Sequence, residues 1–94
     1  MFKDIRTWPL SEEFSSIDIE GDGYPDNRPL EICIIDFSQG RVVDTHYWLI
    51  NTERPIDPYV SEHIHGITDA MVSQRPTHYE VAAEVEDAIR GKTI

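Results

Sequence analysis

The chain has 94 residues, room for one domain with a modest core, and a formal net charge of −10 from 18 acidic against 8 basic side chains. So few Lys and Arg argue against a phosphate-binding groove made from the chain's own basic residues. The absence of a long apolar run predicts neither signal peptide nor membrane helix, and the lone Cys33 allows no intrachain disulfide. A soluble, cytoplasmic domain without membrane association is the default expectation. Bound divalent cations or a partner chain would offset the charge.

Residues 1–13 mix charged and apolar types around Trp8-Pro9 and read as an irregular N-terminal arm, with Trp8 and Leu10 packing on the body at 14–94. Phe14 to Glu20 reads as the first strand. Over Ser15–Glu20, alternation sends Ile17 and Ile19 to one face and Ser16, Asp18 and Glu20 to the other. Residues i and i+2 of a strand lie roughly 6.6 Å apart. Two carboxylates that close repel unless a cation neutralises them, and such hard oxygen ligands suit Mg²⁺ or Mn²⁺. Asp18 and Glu20 are therefore the candidate metal ligands.

Gly21 to Pro29 is dense in turn residues and predicts a loop. Leu30 to Ser38 is a second strand, whose near-continuous apolar run predicts burial on both faces, with Cys33 as a small buried residue. Ser38-Gln39-Gly40 predicts a hairpin with Gly40 at positive φ, so Arg41 to Ile50 is a third, antiparallel strand. Tyr47 and Trp48 on it suit sheet packing, with base stacking as the rival role.

Asn51 to Pro58 reads as a loop and Pro58 to His65 as a short helical turn, and Thr68 is placed to cap Asp69–Ser73. Thr77 and Glu80 have capping-box spacing ahead of a helix. Its apolar face carries Tyr79, Ala82, Val85 and Ile89 with Val81 and Ala88, and Glu84, Glu86 and Asp87 make a solvated face. Gly91 ends it, and Lys92-Thr93-Ile94 begins something extended. The predicted class is α/β: a three-stranded antiparallel meander, a short helical stretch and one longer amphipathic helix, ending at the start of a fourth strand. A helix returning to a strand beside the first would be a right-handed crossover.

Two segments now resemble one family in the right order: Asp18-Ile19-Glu20-Gly21-Asp22-Gly23 followed by Glu31-Ile32, and Ile64-His65-Gly66-Ile67-Thr68-Asp69 followed by Pro76-Thr77 and the helix to Gly91. Ile50-Asn51 before Pro55-Ile56 adds to the match. The chain resembles the N-terminal half of a DnaQ-like, DEDD-type 3′–5′ exonuclease, which has an RNase H-like fold. The resemblance implies two-metal hydrolysis of phosphodiester bonds at nucleic-acid 3′ ends, single-stranded ends as substrate, and Mg²⁺ or Mn²⁺ as cofactor. It implies catalytic, metal-binding roles for Asp18 and Glu20. Substrate contacts are implied for Gly21, Asp22 and Gly23 after the strand and for His65.

Departures accompany the match. The family usually places two threonines after the Glu, where this chain has Gly21 and Asp22, the latter a further negative charge where a nucleotide would approach. The family's second and third motifs, with two more carboxylates and the general base, are absent, so weak single-ion binding and little activity are expected unless a second chain completes the site. The first strand is expected as an exposed edge, inviting self-association or a complementing C-terminal half. Two further readings stand beside this one. An acidic, non-catalytic interaction domain is one. A calcium loop over Asp18–Gly23, with Asp26 as a further ligand, is the other, although the twelfth loop position is Pro29 rather than Glu. His63 and His65 lack the converging partners a zinc site needs, and His46 and His78 read as surface residues.

Overall fold

The computed structural model describes residues 13–94, and the N-terminal arm with Trp8 and Leu10 lies outside them. Three antiparallel strands form one sheet in the order β1-β2-β3: β1 is Glu13–Gly21, β2 Pro29–Ser38 and β3 Arg41–Leu49. The hairpin between β2 and β3 turns on Gln39 and Gly40, both at positive φ (52° and 76°). Two successive positive-φ residues match the right-handed strand twist that a two-residue loop must follow. Pairing sets Ile17 opposite Ile34, Asp18 opposite Cys33 and Glu20 opposite Glu31, and on the next strand Cys33 opposite Tyr47 and Glu31 opposite Leu49.

Helical turns follow at α1 (Pro58–Val60), a π-helical turn at Ser61–His65, and α2 (Asp69–Val72), before the longer α3 (His78–Ile89). Asp57 caps α1 through its carboxylate, which accepts from the Tyr59 and Val60 N–H groups. Thr68 accepts from the Met71 N–H at 3.3 Å. At α3, the Glu80 carboxylate accepts from the Thr77 N–H at 3.1 Å, the reciprocal half of a capping box.

The apolar stripe of α3 packs on one sheet face: Val81 and Ala88 with Ile32, Ile34 and Ile50, flanked by Ile17, Trp48, Val85 and Ile89. A second cluster of Leu30, Ile56, Ile67 and Val72 holds the loop region against the sheet end. The last residues reach β1's outer edge, where the Ser15 N–H donates to the Thr93 carbonyl at 2.7 Å. Beyond that bond, the outer edge of β1 pairs with no strand among the described residues.

Two expectations change. The apolar run of β2 is buried on one face only: Leu30, Ile32 and Ile34 are buried, and Cys33, Ile35 and Phe37 between them are half-buried. The helices supply one covering layer, so the alternate residues keep a solvent side. Cys33 is therefore not a core residue. The apolar face of α3 is also narrower than expected: Tyr79 is 77% exposed and Ala82 is exposed, both outside the packed cluster, and Ile19 on β1 is 55% exposed.

Candidate functional site

Strand alternation places Asp18 and Glu20 on the sheet face that α3 leaves open, opposite to Ile17. Asp18 is exposed and Glu20 half-buried. They share this face with Glu31 and Cys33, the cross-strand neighbours of Glu20 and Asp18, and with Tyr47, which pairs with Cys33 from β3. Their donors are carboxylate oxygens, a hard set that fits Mg²⁺ or Mn²⁺ and keeps room for water ligands.

The pairing register slips between Glu20 and Gly21, which turns the chain away from the sheet. A Cβ added to Gly21 would run into the side-chain amide of Asn27, which would have to swing aside. The Asn27 side chain is held by accepting from the Gly23 N–H at 2.8 Å. Gly23 has φ +94°, and its Cβ would lie 2.6 Å from Val60. The space these glycines vacate is thus filled by the chain's own residues.

Asp22 is placed differently from the sequence expectation. Its side chain is fully buried and carries no free charge toward an approaching nucleotide. Arg54 grips it twice, Nε to Oδ2 at 2.6 Å and Nη2 to Oδ1 at 3.1 Å, and the Arg28 N–H adds a bond at 3.1 Å. Burial pushes the Asp22 carboxyl up, but the Arg54 bond with the Arg28 and Tyr24 N–H groups outweighs it and holds it below the ordinary range. Arg54 also binds Asp26 at 3.0 Å and lies over the Tyr24 ring at 4.5 Å. A calcium loop would need Asp22 and Asp26 as ligands, and the guanidinium already occupies both. That reading is set aside.

His65 tethers the π-turn to the end of β1. Its Nδ1 accepts from the Ile67 N–H at 3.0 Å, so the ring proton sits on Nε2, which donates to the Gly21 carbonyl at 3.0 Å. Both ring nitrogens are thereby engaged, and the imidazole stands one residue from Glu20.

A second polar group, of which the sequence reading singled out only His46, as a surface residue, lies on the α3 side of the sheet. The Asp36 carboxylate accepts from Ser15 Oγ at 2.5 Å, Lys92 Nζ at 2.7 Å and His46 Nε2 at 2.8 Å. Asp44 stands 3.5 Å from His46. Ligand atoms of Asp36, Asp44 and His46 lie within 4.8 Å of one another, the one such group among the described residues. The Lys92 ammonium already supplies a cation there. Its bond, then that of Ser15, overcomes burial and, with His46, holds the Asp36 carboxyl well below the carboxylate range. The hairpin register that makes Asp36 and Asp44 neighbours was readable from the turn, but the arrival of Lys92, 56 positions away, was not.

The exonuclease family model for RNase T matches residues 13–94. The chain is 30% identical over 83 residues to the epsilon subunit of DNA polymerase III from Pasteurella multocida (strain Pm70), a match covering 87% of this chain and 32% of that protein. Among solved structures it is similar to exonuclease X in complex with 5′ overhanging duplex DNA, with a TM-score of 0.68 and 32% identity over 77% of this chain and 42% of the other. It is also similar in fold to a full-length 3′-exonuclease, with a TM-score of 0.68 and 17% identity over 83% of this chain and 29% of that one. The chain thus spans about a third of the curated relative and under half of the solved exonuclease. No helix among the described residues is long and apolar enough to cross a membrane. The meander and helices are the opening portion of an RNase H-like exonuclease fold, and the chain belongs to the RNase T exonuclease family.

Proposed function

We propose that the chain supplies the first carboxylate pair, Asp18 and Glu20, of a metal-dependent 3′–5′ exonuclease site acting on nucleic-acid 3′ ends. The observation that carries this is their position: side by side along β1 on a solvent-facing sheet surface, inside the segment the family model matches. Mg²⁺ or Mn²⁺ bound there would supply an activated water and charge stabilisation at the scissile phosphate. Asp18 and Glu20 would hold the ion. Gly21 and Gly23 let Asn27 and Val60 pack against the backbone that follows Glu20, and His65 anchors that backbone through the Gly21 carbonyl. Asp22 then serves the site indirectly, by fixing the loop through Arg54.

A two-metal site needs more ligands than the described residues bring to this face, and we assign them to a further segment, of this protein or of a partner, that docks on it. Two features support docking there. The face bearing Asp18 leaves Tyr47 56% exposed with half-buried Ile35 and Phe37, and the outer edge of β1 is unpaired past Ser15. A second copy of this chain is the other candidate for that edge. The same surface would also serve a non-catalytic interaction domain, and one experiment separates the two. A 3′-labelled single strand is incubated with Mn²⁺ and the chain, alone and with a segment carrying the family's remaining motifs. Shortening from the 3′ end in the combined sample, lost in Asp18→Ala, is the expected result. Binding of the two polypeptides without digestion would leave the interaction reading in its place.

A further inference from the structure

The open face carries a third carboxylate. Glu31 lies directly across from Glu20, and the Tyr47 hydroxyl, from the row of Asp18, donates to Glu31 Oε2 at 2.5 Å. Like charges directly opposite on a sheet face are unfavourable. Glu31 is half-buried, set between Glu20 on β1 and Leu49 on β3. Tyr47 fixes one oxygen of Glu31, and no hydrogen bond reaches Oε1 from the described residues. A carboxylate so held keeps acceptor capacity.

From this we infer that Glu31 is a positioning residue of the Asp18–Glu20 site, holding a water ligand of the bound cation through its remaining acceptor oxygen, with Tyr47 as its support. The inference rests on the metal-binding reading of Asp18 and Glu20. Groups that orient the ligands of a metal govern its affinity even without touching it. Glu31 sets the water's direction, and Tyr47 keeps Glu31 from swinging into solvent.

The test is a Mn²⁺ titration of the chain followed by electron paramagnetic resonance, which reads free Mn²⁺ and needs no nuclease activity. Glu31→Gln is expected to weaken binding about tenfold, and Tyr47→Phe about threefold. Glu13→Gln removes the same charge at the far end of β1 and is expected to change affinity less than twofold. Thermal midpoints separate a structural role: Glu31→Gln relieves a like-charge pair and should not lower the midpoint. Equal affinities for Glu31→Gln and Glu13→Gln would overturn the inference while leaving Asp18 and Glu20 in place. Wild-type affinity in Tyr47→Phe would overturn the role given to Tyr47. If Asp18→Asn binds Mn²⁺ like the wild type, the metal-binding reading fails and the inference falls with it.

Discussion

Arg54 determines what the acidic loop is. Read along the chain, Asp22 and Asp26 add negative charge beside Asp18 and Glu20. In the fold, one guanidinium binds both, and the Asp22 side chain is shut away from solvent. Removing one member of such a pair strands the other's charge. Arg54→Met is therefore expected to lower the thermal midpoint well beyond the loss in Arg90→Met, where Arg90 pairs with exposed Glu86 and Asp87. Parallel melts of the two variants check this, and equal midpoints would show that Arg54 holds nothing in place. Arg54 is 32 positions from Asp22, and no spacing rule links them. His65 has a similar history. Its resemblance to the family was visible, and the tautomer set by Ile67 and Gly21 was not.

At the scale of elements, β1 joins the candidate site to the fold. Its alternation puts apolar Ile17 under α3 and the carboxylates on the other side, a pattern readable from six residues. Its ending depends on contacts that only the folded loop makes. Gly21 and Asn27 fit because neither leaves room for the other. Gly21→Ala should displace the Asn27 amide from the Gly23 N–H and cost about 1 kcal/mol, the value of one such bond. Adding Asn27→Gly removes the obstacle but not the lost bond, so chemical denaturation should show no further loss from the alanine in that background. A full second penalty in the double variant would place the strain elsewhere. The hairpin and the α3 cap were legible beforehand, because each is set by residues within a few positions of one another, whereas of the α3 stripe only Val81, Val85, Ala88 and Ile89 pack, and Tyr79 and Ala82 stay exposed.

Taken whole, the described residues make one covered sheet face, one face they leave open, and a polar tie between Lys92 and the first strand. Asp36 is the centre of that tie, joining Ser15 of β1, His46 of β3 and Lys92. Its carboxyl lies below the ordinary range when folded, as does that of Asp22. A lowered folded value adds stability above the unfolded pKa, about 3.9 for Asp, and that contribution is lost as pH falls below it toward the folded value. Urea midpoints should hold from pH 7 to about 5 and then drop, and Asp36→Asn should flatten the drop while lowering the plateau. An unchanged acid limb in that variant would remove Asp36 as its source. The open face answers the expectation of double-sided burial for β2. The run of Ile and Leu is suited to two covers, and the described residues provide one.

The sequence by itself determined the strands, the main helix, the family and the sheet face on which Asp18 and Glu20 stand. Each of these follows from local period, capping chemistry or a short motif, and local rules act before the chain is folded. Only the tertiary structure decided which charges are free. Asp22 and Asp26 are claimed by Arg54, and Asp36 by Lys92. Asp18 and Glu20 are left facing solvent, because a charge is neutralised by whatever the fold brings within a few ångströms, and that distance is unrelated to distance along the chain.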